Sequence, residues 1–158
     1  MTSKSLVVVG HGMVGHRFVE AMRARDNAAI WQITVLCAEE LPAYDRVGLS
    51  SYVGNWDSKQ LALAGNDYRG DANVELRLGE RALSIDRAAG KVTTSRGDVL
   101  GYDALVLATG SYPFVPPVPG HDNGRCFVYR TIDDLDRIRS AAEQSGPGAV
   151  GVVVGGGL

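Results

Sequence analysis

Three glycines and one carboxylate carry the first chemistry legible in this chain of 158 residues. Gly10, Gly12 and Gly15 stand in the spacing GxGxxG directly after the apolar run 6–9, and Glu39 follows Gly15 by 24 positions. Glycine in the first place permits a tight turn out of a strand. In the second it lets a pyrophosphate approach the backbone with no Cβ in the way, and in the third it lets the next helix pack close. A helix opening at Met13 and Val14 presents free N–H groups and the positive end of its dipole to a phosphate. An acid just past the following strand can accept a hydrogen bond from a ribose hydroxyl, the role assigned here to Glu39, for which the bland alternative, shared with Glu40, is a solvated charge.

GxGxxG alone is weak evidence, because glycines recur in turns. Here the elements that must position it arrive in order. Residues 6–9 read as a parallel strand buried on both faces. From Met13, Val14, Phe18, Val19 and Met22 fall at helical spacing with Arg17, Glu20, Arg23 and Arg25 between them, and 32–36 resumes a strand pattern. That is a βαβ unit ending at Cys37, Glu39 and Glu40.

Residues 41–52 read as a loop punctuated by Pro42 and Gly48, in which Arg46 can reach a pyrophosphate at the strands' carboxyl ends or simply lie solvated. The stretch to residue 73 predicts only a short helix or turn. Residues 74–78 alternate as a strand, 83–86 and 91–94 form a hairpin, and 98–100 add a third strand to that insert. Residues 104–108 make another buried strand, whose tip, Ala108, Thr109 and Gly110, is small enough to leave room for a ligand. Four prolines between Pro113 and Pro119 exclude helix and mark a connector. Thr131 and Asp134 form a capping-box pattern for a helix to about residue 144, with Ile132, Leu135 and Ile138 on one face.

Length fits about one domain. Sixteen basic against eighteen acidic residues give a net charge of −2 with no basic block, so no nucleic-acid partner is expected. No apolar run is long enough for a transmembrane helix, and the N-terminus lacks a signal-peptide core, so a cytoplasmic protein without a membrane partner is expected. Cys37 and Cys126 stand apart without a CxxC or His cluster, which argues against a metal site and for two buried apolar side chains.

Residues 149–154 repeat the buried-strand pattern, and Gly155 and Gly157 open what reads as a second fingerprint whose third glycine would fall three residues beyond Gly157. The expectation is a fragment of a longer protein.

The two fingerprints, the three-strand insert, the Ala-Thr-Gly tip and the proline connector resemble the two-dinucleotide-domain flavoprotein reductases. The wording of Val-Val-Val-Gly10-His-Gly-Met-Val-Gly-His-Arg-Phe18, Ala43-Tyr-Asp-Arg-Val47, Leu107-Ala-Thr-Gly-Ser-Tyr-Pro-Phe-Val115 and Tyr129-Arg-Thr-Ile-Asp-Asp-Leu135 is similar to the large subunits of NAD(P)H-dependent assimilatory nitrite reductases. The resemblance implies an α/β Rossmann-like FAD/NAD(P)-binding fold with a parallel sheet, helices and a small antiparallel insert. It implies an FAD-binding domain over 1–117 and a connector leading into a truncated NAD(P)H-binding domain over 118–158. Gly10, Gly12, Met13, Val14 and Gly15 would cradle the FAD pyrophosphate, Glu39 would hold the ribose, and Arg46 would flank phosphates or flavin. Ala82 would meet the adenine through its backbone, and Ala108, Thr109 and Gly110 would close over the cofactor. Gly155 and Gly157 would begin the NAD(P)H site.

Siroheme and a [4Fe–4S] cluster, the nitrite substrate and a small subunit would belong to the parent outside these residues. His11, where the family pattern leads to Asn, would matter little, since backbone makes the phosphate contact. No redox-active cysteine pair follows the second strand, so a disulfide reductase is disfavoured. A rubredoxin- or ferredoxin-reductase-like flavoprotein and a non-catalytic nucleotide-binding module are the competing readings.

Overall fold

The computed structural model describes residues 3–155. Its centre is a parallel sheet of β1 (Lys4–Val9), β2 (Trp31–Leu36), β3 (Val74–Arg77) and β7 (Ala104–Leu107), in the order β3-β2-β1-β7. β1 is flanked on both sides, with Leu6 paired to Ile33 and to Ala104, and Val8 to Val35 and to Val106. Its side chains alternate between two layers. Leu6 and Val8 pack with Val19, Ile33 and Val35 beneath α1 (Met13–Arg23), while Val7 packs with Leu36 and Val92 on the opposite face. That second face is covered by the antiparallel sheet of β4 (Ala82–Asp86), β5 (Lys91–Thr94) and β6 (Val99–Gly101), through Ala82, Val92, Leu100 and Tyr102. An apolar run without polar alternation is what a strand covered on both faces requires. The α/β class, the βαβ unit and the three-strand insert therefore stand as the sequence implied.

A third cluster joins α2 (Leu49–Asn55), the 3₁₀ turn Ser58–Leu61 and α3 (Ile132–Ser145). It comprises Tyr44, Leu49, Tyr52, Leu61, Ile132 and Leu135. Residues 41–52 were expected to be loop throughout, yet helix begins at Leu49. Leu49 and Tyr52, one turn apart, both bury into this cluster, so packing rather than local propensity decides the segment. The Tyr52 hydroxyl donates to Asp136 Oδ1 at 2.7 Å, tying α2 to α3. Burial and that carboxylate push the Tyr52 phenol up to about 12.

The capping box forms in both directions. Asp134 N–H donates to Thr131 Oγ1 at 3.1 Å, and Thr131 N–H donates to Asp134 Oδ2 at 3.0 Å. Thr131→Ala is expected to lower the opening free energy of α3 by about 1 kcal/mol. Amide exchange of the α3 peptide in the full-length protein measures it, and unchanged exchange would show that the packing of Ile132 and Leu135 holds the helix end alone.

Two expectations are corrected. Residues 149–154 carry a strand pattern, but they adopt no strand, and Val150, Val152, Val153 and Val154 are 84–89% exposed. An apolar run becomes strand only beside a partner ladder, and no described strand pairs with residues 149–154. Cys37 is buried as expected, but Cys126 is exposed because it lies among turns of the connector, its thiol donating to Gly120 O at 3.4 Å. The proline segment has no regular structure, as its composition requires. No described helix is long and apolar enough to cross a membrane.

Candidate functional site

The carboxyl ends of β1, β2 and β7 converge on the glycine loop. Gly10 turns out of β1 with φ +108°, a conformation that side chains avoid, and its N–H donates to Leu36 O at 2.9 Å. A Cβ there would overlap Ala108 O, and its next neighbour, Ala108 C, would be 2.6 Å away. Gly12 is different. The nearest atom to a Cβ placed on it is Arg46 Nε at 3.9 Å, an ordinary van der Waals contact, so only a narrow gap, about the depth of a Cβ, separates the glycine from the arginine above it. Gly12 is also the N-cap of α1, and no side chain caps that end. The N–H groups of Met13, Val14 and Gly15, which have no partner one turn earlier, are the donors a helix offers to an anion. Met13 is 37% and Val14 73% exposed, so this end of α1 is accessible.

Glu39 and Arg46 close the gap from the other side. Arg46 Nη2 donates to Glu39 Oε1, its Nη1 donates to Arg130 O at 3.2 Å, and its guanidinium lies 5.2 Å from the Tyr44 ring centroid. The Tyr44 hydroxyl donates to Glu39 Oε2 at 2.7 Å and accepts from Ile132 N–H at 3.3 Å. Burial and the Glu39 carboxylate beside it push the Tyr44 phenol far above its ordinary value, so it stays a donor. Both oxygens of Glu39 are thus held by side-chain donors, Arg46 and Tyr44, that can exchange for a ligand's hydroxyls.

The remaining predicted residues fall around this centre with two exceptions. Gly79 N–H donates to Glu39 O at 3.0 Å and Glu80 N–H to Cys37 O at 2.8 Å, so the chain entering β4 at Ala82 passes the tip of β2. Ala108 N–H donates to Val9 O at 2.8 Å. Thr109 and Gly110 are exposed beyond it, with Arg130 Nη2 3.3 Å from where a Gly110 Cβ would stand. Gly155 lies apart, with no atom within 4 Å of its Cβ position, and Gly157 lies outside the described residues.

His11 departs from its expected insignificance. It is 5% exposed, its Nδ1 accepts the Ala43 N–H at 3.1 Å, and its Nε2 lies 3.1 Å from the Tyr68 hydroxyl. Tyr68 in turn lies 3.1 Å from Nδ1 of buried His16. Sequence reasoning missed Tyr44, Tyr68, His16 and Arg130 as well. The one available signal was a histidine standing between fingerprint glycines.

The pattern of the family described as pyridine nucleotide-disulphide oxidoreductase matches residues 4–158. The chain belongs to that family. Within it, the chain is 50% identical over its whole length to the nitrite reductase [NAD(P)H] large subunit of Klebsiella oxytoca, of which it spans 16%. It is 45% identical to the nitrite reductase (NADH) large subunit of Escherichia coli, of which it spans 18%. Among solved structures, NADH:rubredoxin oxidoreductase from Clostridium acetobutylicum superposes on 92% of this chain and 37% of its own, with a TM-score of 0.74 and 26% identity. The family's name notwithstanding, this chain's two cysteines are 89 positions apart, one buried and one exposed, and form no redox pair.

Proposed function

We propose that this chain is the FAD-binding N-terminal portion of an NAD(P)H-dependent nitrite reductase. The observation that carries the reading is the uncapped N-terminus of α1 at Gly12, where no Cβ stands and Arg46, paired with Glu39, lies directly over the glycine. It has the makings of a diphosphate site continuing into a ribose site. The whole-chain identity to nitrite reductase large subunits supports assigning that site within such an enzyme. Backbone N–H groups of Gly12 to Gly15 would bind the pyrophosphate, Arg46 would neutralise it, Glu39 would accept from the adenosine ribose, and Ala82 would meet the adenine through its backbone. Ala108, Thr109 and Gly110 would close over the cofactor beside β7. FAD held there would supply hydride acceptance from NAD(P)H and the splitting of that pair into single electrons for siroheme and a [4Fe–4S] cluster, where nitrite becomes ammonium. Those centres and a possible small subunit belong outside these residues, with residues 1–117 as part of the FAD domain and 118–158 leading to the nicotinamide site.

The likeness to a rubredoxin reductase favours a second reading, delivery of electrons to a small iron–sulfur protein. One experiment separates them: the purified full-length protein is assayed for bound FAD and for NADH- or NADPH-dependent nitrite consumption with ammonium formed. Bound FAD without nitrite consumption selects the second reading, and failure to bind FAD after reconstitution ends both. Glu39→Ala is expected to weaken FAD binding by about 1.5–3 kcal/mol, the range for a hydrogen bond to a charged group. Flavin occupancy at limiting FAD equal to the wild type would remove Glu39 from the site.

A further inference from the structure

We propose that His11 is a positioning residue of the dinucleotide site: its unprotonated Nδ1 holds the backbone of residues 43–46, and with it Tyr44 and Arg46, above the glycine loop. The inference deepens the FAD-site reading and depends on it only for what that arm is held against.

The direction of each hydrogen bond follows from its donors. Ala43 N–H can only donate, so His11 Nδ1 is the acceptor and the proton of the neutral ring sits on Nε2. Nε2–H then donates to the Tyr68 oxygen, which leaves the Tyr68 hydroxyl proton for His16 Nδ1. The His16 proton accordingly sits on Nε2, 3.8 Å from Glu20 Oε1 at the surface of α1. The chain of donors has one sense, from Ala43 through His11, Tyr68 and His16 toward Glu20. An added proton on His11 Nδ1 would set two donors against each other.

The groups facing His11 work the same way. The neighbouring His16 on α1 opposes protonation of His11, and Tyr68 has its phenol pushed up by burial and stays protonated. The Cys37 thiol, at the end of β2 against the His11 backbone N–H, is pushed up by burial and brings no charge. Burial and His16 hold His11 at about 4. The arm it holds has other anchors: Asp45 N–H on Leu61 O at 2.8 Å, the Asn66 side-chain amide and Leu63 N–H on Ala43 O at 2.6 and 3.4 Å, and the side-chain bonds of Tyr44 and Arg46 to Glu39, Ile132 and Arg130. Among the described residues, the His11 bond is the one hydrogen bond between it and the glycine loop itself. His11 thus couples the loop expected to bind phosphate to the arm that carries the arginine.

The test uses the full-length protein with two readouts: amide exchange of the 43–46 peptide without ligand, and FAD affinity of the apoprotein by flavin fluorescence as pH is lowered. His11→Leu removes the acceptor. It is expected to speed exchange of the arm and weaken FAD binding roughly tenfold at neutral pH. His11→Asn places Oδ1 where Nδ1 stands. It is expected to restore slow exchange and most of the affinity, and to lose the acid weakening that the wild type shows as pH approaches about 4. Wild-type exchange rates in His11→Leu, or an unchanged acid limb in His11→Asn, would overturn the proposal. A wild type that binds no FAD refutes the cofactor reading, and ligand-free exchange then decides the role of His11 by itself. If His11→Leu does not fold, Tyr68→Phe takes its place: without an acceptor for Nε2–H the tautomer is no longer held, and the same amides should exchange faster. Unaltered rates there would equally sink the idea.

Discussion

Gly15→Ala is expected to abolish FAD binding and to destabilise the β1–α1 unit by about 3 kcal/mol, at the upper end of the ordinary overpacking range. Helix propensity alone gives the opposite sign, because Gly15 lies within α1 and alanine there is favoured by about 1 kcal/mol. Contact geometry decides against propensity. A Cβ on Gly15 would overlap the Gly10 carbonyl oxygen, with Gly10 C at 3.1 Å and Ala108 Cβ at 3.5 Å. Backbone of the first glycine cannot swing aside as a side chain could, since Gly10 N–H is bonded to Leu36 O and Gly10 itself is pressed against Ala108. The helix must move out instead, lifting its N-terminal N–H groups from the gap and pulling Val19 from its place against Leu6, Val8 and Val35. Gly12→Ala is the control, because a Cβ there meets only Arg46 Nε at 3.9 Å. It should leave stability near the wild type and weaken FAD binding alone. Amide exchange of the β1 and α1 peptides, with flavin retention, reads both variants. Wild-type protection in Gly15→Ala would refute the close-packing argument.

The parts legible in the sequence are those in which a residue and its partner are near each other or repeat with a period. The glycine spacing, the apolar run of β1 and the Thr131–Asp134 reciprocal cap each carry their structural reason within a few residues. Val92 follows from the hairpin pattern, though not the fact that it lids the second face of β1, and β4 begins one residue earlier than that pattern, at Ala82. What escaped depends on chain segments far apart. Residues 149–154 have the composition of a strand, and composition cannot say whether a partner strand stands beside it. α2 begins at Leu49 because Ile132 and Leu135 arrive from more than 80 positions away. In the candidate site, Glu39 and Arg46 were each legible as single residues, and their pairing was not. The gap they border is visible only once Gly12 and Arg46 face each other. His11 was dismissed because the local motif assigns its position to backbone chemistry. Its partner Tyr68 lies 57 residues on, in the stretch with the least pattern.

The second large effect is a loss of stability in mild acid that originates at His11. Burial, and then the neighbouring His16, hold the His11 imidazole at about 4, against an ordinary value of 6.5. The unfolded chain therefore takes up a proton between about 6.5 and 4 that the folded chain refuses, and stability falls with pH across that window. The contribution is complete above the unfolded value, shrinks as pH drops, and is gone near the folded value. At 1.36 kcal/mol per unit it amounts to about 3 kcal/mol, a large share of an ordinary domain's stability. Asp71 titrates with the same sign but in another place. The hydrogen bond from Arg23 at 2.9 Å lowers its carboxyl below 3.8, so its effect belongs to stronger acid. His11→Asn keeps an acceptor for Ala43 N–H and cannot titrate. It should flatten the stability profile between about 6.5 and 4 while leaving the steeper fall below that range in place. The profile is measured as the opening free energy of the β1 and α1 amides at successive pH values in both proteins. An equal slope in the wild type and His11→Asn would assign the acid sensitivity to another group. A flat profile in the wild type would mean that His11 is not held neutral by the fold, and the one-way chain of donors from Ala43 to Glu20 would lose its first link.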